Sequence, residues 1–106
     1  MPTFGKLCIP RADTWEPLYT AQAGEQPTIN INMVNCSANT VNVGLAIGVG
    51  GVVNGDRLEW KTPLDPEGMI SNVLERSGIA ISPGETVYVR ASAVGVVDAR
   101  AFGFPT

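Results

Sequence analysis

The sequence contains no histidine. That removes the commonest general base near neutral pH and the commonest nitrogen ligand of zinc. Neither a Ser–His–Asp nor a Cys–His nucleophile system can be assembled without it. Cys8 and Cys36 are the only thiols, too few for a structural zinc site without imidazole. Charge is also scarce: 7 Lys plus Arg and 10 Asp plus Glu make up 16% of 106 residues, against about a quarter in ordinary soluble domains. The net charge is −3 and the basic residues are scattered, so the clustered positive charge that nucleic-acid phosphates require is missing. The longest apolar-leaning stretch, 43–53, is broken by Gly44, Gly48, Gly50 and Gly51 and is too short to cross about 30 Å of hydrocarbon. No basic start leads into an apolar run, so no signal peptide is expected. The glycine-rich stretch 48–55 lacks the Lys-Ser/Thr ending and the following helix of a phosphate cradle. No cofactor, metal, nucleic-acid or membrane partner is therefore expected.

What is present is a small core in short pieces. Hydrophobic residues make up 44% of the chain, and a domain of this length hides roughly two-thirds of its unfolded surface. With 12 Gly and 8 Pro, no window is long and polar-faced enough for a helix. Short Val- and Ile-rich runs alternate with turn formers instead, which predicts an all-β domain over residues 1–106.

The clearest period-two run is Thr28-Ile29-Asn30-Ile31-Asn32-Met33-Val34, with Ile29, Ile31 and Met33 on one face and Asn30 and Asn32 on the other. Val41, Val43, Leu45 and Ile47 share a face of the next run. The intervening Asn35-Cys36-Ser37-Ala38-Asn39 predicts that the two pair as a hairpin. A second hairpin is expected from 86–93 and 98–104. Weaker strands fall at 4–9, 17–20, 57–61, 69–74 and 78–81, and Asn54-Gly55 is a two-residue turn signal. The prolines are placed at or beyond strand limits. About eight short strands at this spacing imply a single antiparallel β-sandwich or jelly roll.

Acidic pairs are the remaining route to catalysis. Asp13 and Glu16 flank Trp15, Asp56 and Glu59 flank a strand start, and Asp65 and Glu67 share a Pro-rich loop; all six read as solvated loop charge. Calcium at Asp56 or Asp65 lacks enough oxygen ligands at close spacing. No catalytic residue is assigned, and the chain is read as non-enzymatic. Trp15, Trp60, Tyr19 and Tyr88 form either a stacking platform for sugars or bases, or core and rim packing. Arg76, Arg90 and Arg100 are candidates to share one sheet face against an acidic partner. Cys8 and Cys36 are expected as reduced, partly buried thiols, a disulfide being the alternative. Asn35-Cys36-Ser37 matches a glycosylation sequon in form only.

Two stretches carry a resemblance. Leu18-Tyr19-Thr20-Ala21-Gln22-Ala23-Gly24 leads into the alternating strand that ends at Asn35-Cys36-Ser37. Glu75-Arg76-Ser77-Gly78-Ile79 leads through Pro83-Gly84-Glu85 into an alternating strand ending Ala91-Ser92. Together they resemble small accessory structural proteins of tailed-bacteriophage virions, found as head decoration, collar, tail or fibre-associated subunits. The resemblance implies a homo-oligomeric virion protein, assembled in the host cytoplasm, that binds other virion subunits. On that reading residues 1–9 and 102–106 are docking arms, and Phe102, Phe104, Trp15, Trp60 and Arg76 are the partner-binding side chains. The competing reading is a carbohydrate-binding or adhesin-like module using Trp15, Trp60 and Tyr19.

Overall fold

A computed structural model describes residues 3–104. Eight strands run in chain order: β1 (Thr3–Cys8), β2 (Glu16–Thr20), β3 (Thr28–Asn35), β4 (Val41–Gly48), β5 (Arg57–Leu64), β6 (Val73–Ala80), β7 (Thr86–Ala91) and β8 (Val97–Phe104). They form two four-stranded sheets ordered β1-β8-β3-β6 and β2-β7-β4-β5, every pair antiparallel. This is the jelly-roll arrangement of two interlocked Greek keys.

The period-two faces lie as the sequence predicts. Ile29, Ile31 and Met33 of β3 meet Val41, Val43 and Leu45 of β4 and Val87, Val89 and Ala91 of β7 in one continuous core. The pairing differs from expectation. β3 and β4 do not form a hairpin, and neither do β7 and β8; each pair divides between the two sheets. A turn-rich link of five residues is long enough to carry the chain across a layer about 10 Å thick, so alternation on both sides of a turn fits a crossing as well as a hairpin. Among the described residues the only consecutive strands that pair are β4 and β5, closed through Asn54-Gly55.

Three further differences have local causes. The weak runs 69–74 and 78–81 merge into one strand, β6, over Val73–Ala80, and 69–72 belong to the connection before it. Gly78, at φ 71°, makes a bulge in which Ser77 and Gly78 together oppose Asn30, whose Oδ1 accepts the Gly78 N–H at 3.1 Å. Pro17 and Pro63 lie inside β2 and β5, which are sheet edges where a missing N–H costs no ladder bond. In the central strand β8, Ala99, Ala101 and Gly103 face the core while Phe102 and Phe104 point outward. A Cβ on Gly103 would collide with the Thr28 carbonyl, so nothing larger fits inside.

β1 pairs with β8, and 102–104 pair with β3, Phe102 also lying opposite Thr3 of β1, so these parts of the expected arms are strands of the sandwich itself. Met1, Pro2, Pro105 and Thr106 lie outside the described residues. On one flank β1 runs so close to β2 that a Cβ on Gly5 would strike the Leu18 carbonyl. On the other flank an ion pair from Arg76 to Glu59 links β6 to β5.

The connections at one end are tied by Asn35, which is fully buried. Its Nδ2 donates to the carbonyls of Asn39 (2.8 Å), Asp65 (3.0 Å) and Leu64 (3.2 Å). Its Oδ1 accepts from the Ser37 N–H (3.0 Å) and hydroxyl (2.9 Å). One side chain thus holds the links β3–β4 and β5–β6 together. Asn35→Ala should lower the unfolding free energy in urea by about 3 kcal/mol, because buried carbonyls lose their donor. Ser37→Ala should cost only about 1 kcal/mol.

Candidate functional site

The sequence-derived candidates fall in three places. Phe102 and Phe104 stand on the outer face of the β1-β8-β3-β6 sheet, where the Arg100 guanidinium lies 5.6 Å from the Phe102 ring and Phe104 is 55% exposed. Arg76 is occupied at the β5–β6 flank by Glu59, whose other oxygen accepts the Thr62 hydroxyl at 2.7 Å. Trp15 and Trp60 meet on the outer face of the β2-β7-β4-β5 sheet. The expectation that Arg76, Arg90 and Arg100 share a face therefore fails: Arg90 and Arg100 are on strands of opposite sheets and Arg76 is at the flank. Tyr19 is also apart from the indoles, packed 4.9 Å from Phe4.

The Trp site is built by local backbone. Ala12 makes a parallel bridge to Ala91, and the Asp13 N–H donates to the Ala91 carbonyl at 2.8 Å. Asp13 then takes a left-handed φ of 53°, which Asp tolerates better than most residues. The chain turns there, and Trp15 reaches over Gly44 of β4. A Cβ on Gly44 would lie 2.9 Å from Trp15 Cη2, so the missing side chain is the seat of the indole. In β5, Glu59 is opposite Leu45 and Thr62 opposite Val43, so Trp60 and Lys61 together oppose Gly44. That bulge, with Lys61 at φ 54°, brings Trp60 beside Trp15 with centroids 6.0 Å apart and planes inclined 26°.

Cations surround the pair. Arg57, Arg90 and Lys61 lie 4.9, 5.0 and 5.5 Å from the Trp60 ring, and Arg90 is also 5.8 Å from Trp15. Asp13 is 3.7 Å from Arg90. Beside them is a concavity of about 220 Å³. A shallower one of about 530 Å³ lies on the other sheet between Lys6, Cys8, Asp98 and Arg100.

The acidic residues are not all solvated loop charge. Glu16 is buried and receives Arg11 Nε and Nη2 at 2.8 and 2.9 Å, which holds its carboxyl below the ordinary range. Asp56 Oδ2 accepts the Val53 N–H at 3.0 Å and shapes the β4–β5 turn. Cys8 and Cys36 are free and exposed rather than partly buried. They lie on opposite sides of β8, about 9–10 Å apart by strand spacing, beyond the roughly 7 Å a disulfide spans. Desolvation first, and then the Asp98 carboxylate, pushes both thiols above their ordinary value. Among the described residues, no three His, Cys, Asp or Glu side chains are grouped to hold a metal, and no helix is long and apolar enough to cross a membrane.

Two predictions follow from this geometry. Gly44→Ala should displace Trp15, abolish the exciton couplet of the stacked indoles in circular dichroism, and cost about 1–2 kcal/mol with the fold retained. The second concerns Glu25, which is held below its ordinary value of 4.5 first by the Tyr19 hydroxyl at 2.5 Å and then by the Gln22 N–H at 2.7 Å. Tyr19 is pushed up to about 12, by desolvation first and then by Glu25. The Glu25 contribution is complete above 4.5 and is lost as pH falls through the lower folded value. The Tyr19 contribution is complete below 10 and is lost as pH rises through about 12. Glu25→Gln should therefore be less stable at pH 7 and lose less stability in acid, read as urea midpoint against pH. Tyr19→Phe should remove a tyrosinate absorbance step near 12.

Comparison with known proteins finds no matching family, no similar curated protein and no similar solved structure.

Proposed function

We propose that this chain is a non-enzymatic structural subunit of a tailed-bacteriophage virion, acting by adhesion to copies of itself and to neighbouring capsid, collar or tail subunits. The observation that carries this reading is the tip of the β5–β6 connection. Ile70 is 100% exposed and Met69 57% exposed, and Val94 of the β7–β8 connection, at the same end of the sandwich, is 65% exposed. Adjacent large apolar side chains held in water are a liability unless a partner covers them.

Two further features support it. The stretches that resemble phage virion proteins fold as β2–β3 and β6–β7, so the resemblance spans both sheets. Jelly rolls recur among viral capsid subunits, which is an analogy of fold. The outer edges of β1, β2, β5 and β6 also leave backbone groups for a neighbour to complete.

Sedimentation velocity over a range of concentrations tests the proposal. The wild type should form a defined oligomer, and the double variant Met69→Ser, Ile70→Asp should weaken association at least about tenfold, the worth of burying one large aliphatic side chain. Flanking reading frames should encode virion parts. A wild type that stays monomeric throughout, beside unrelated reading frames, overturns the reading.

A further inference from the structure

We propose that the concavity beside Trp60 is a binding site for a carboxylated sugar, a uronic-acid-type pyranose within an acidic oligosaccharide. This goes beyond the assembly reading and does not depend on it. Asp13, Asn42, Trp60, Lys61, Arg90 and Ser92 contribute the side chains of the concavity, with Gly44 beneath.

The first argument is chemical. Trp60 keeps 42% of its surface exposed, an apolar plane of the kind on which the C–H face of a pyranose stacks. Lys61 and Arg90 of the lining, with Arg57 beside them, lie over the Trp60 ring against the single Asp13 carboxylate, so the site favours an anion. A planar carboxylate matches the guanidinium fork of Arg90 and the ammonium of Lys61. Asn42 and Ser92 add an amide and a hydroxyl at the same wall, where the Ser92 Oγ already accepts the Asn42 N–H at 2.9 Å. Those groups suit ring hydroxyls. At about 220 Å³ the concavity is smaller than the pockets that enclose drug-sized ligands, and it suits one sugar ring of a longer chain.

The second argument is independent of side-chain chemistry. Among the described residues, Asp13 and Lys61 are the only non-glycine residues in the left-handed region, and both line this concavity. Lys gains nothing intrinsic from φ 54°, and such strain is held where surrounding structure enforces it, commonly at ligand sites. Here it yields the bulge that turns Trp60 and Lys61 to the same spot. Gly44 does the same for Trp15, since any side chain at that position would displace the indole that packs against Trp60. Two left-handed residues and a glycine seat thus converge on one surface.

The two tryptophans are the only ones in the chain, so indole emission reports this site directly. The test is titration with oligogalacturonate, with a neutral galacto-oligosaccharide of the same length, and with inorganic polyphosphate, followed by fluorescence and calorimetry. Oligogalacturonate should give a saturable change, with the neutral sugar at least about tenfold weaker. Lys61→Gly and Arg90→Gln should each weaken it about tenfold, the loss of one charge-assisted contact. Trp60→Ala should abolish binding in calorimetry. If Trp60→Ala does not fold, Lys61→Gly decides, because glycine adopts that left-handed backbone freely. No response to oligogalacturonate, equal binding of the neutral sugar or of polyphosphate, or unchanged affinity in Lys61→Gly would each overturn the proposal. Failure of the assembly reading appears in sedimentation alone and leaves these titrations unaffected.

Discussion

Everything in this molecule depends on one thin layer of apolar side chains shared by two sheets. Each strand gives the layer only alternate residues, so eight short strands are needed to close it, and the inner positions of β3, β4, β7 and β8 are almost wholly Ile, Val, Met, Leu, Ala and Gly. The layer is about as thick as two facing side chains. A Cβ at position 103 would strike the Thr28 carbonyl of the paired strand β3, so β8 fills the layer there with Ala99, Ala101 and Gly103 while its aromatic rings stand outside.

A layer this thin closes at its margins by other means. The β1–β2 flank closes by backbone approach at Gly5, and the β5–β6 flank by the Arg76–Glu59 pair. Asn35 closes one end, with both polar atoms of its amide satisfied. Arg11 and Glu16 secure the chain as it enters β2. Two of these closures are ion pairs between side chains.

With the interior full, recognition is left to the outside, and the two outer faces differ. The β2-β7-β4-β5 face gathers two indoles and three cations around glycine and two left-handed residues. The other face carries Lys6, Cys8, Arg100 and Asp98 around a shallow depression, with the Cys36 thiol 3.7 Å from Asp98 and with Phe102 and Phe104 on the same strand as Arg100 and Asp98. Met69 and Ile70 add an apolar point at the loop end. A subunit that both packs into an assembly and holds a glycan would use these as separate surfaces.

The amino-acid order by itself determined the all-β class, the approximate strand positions and the buried faces of β3 and β4, because alternation at period two is a local property that burial of one sheet face imposes. It also pointed to Trp15, Trp60 and the Asn54-Gly55 turn by residue type. Only the tertiary structure decided which strands pair, since a link such as 36–40 serves a hairpin or a crossing equally well. The same holds for the Trp15–Trp60 contact, which joins residues 45 positions apart through a bulge in β5 and a glycine on the neighbouring strand β4. It holds also for Asn35, whose burial cannot be read from an Asn-rich turn, because two of its acceptors, the carbonyls of Leu64 and Asp65, reach it only when two connections meet across the end of the sandwich.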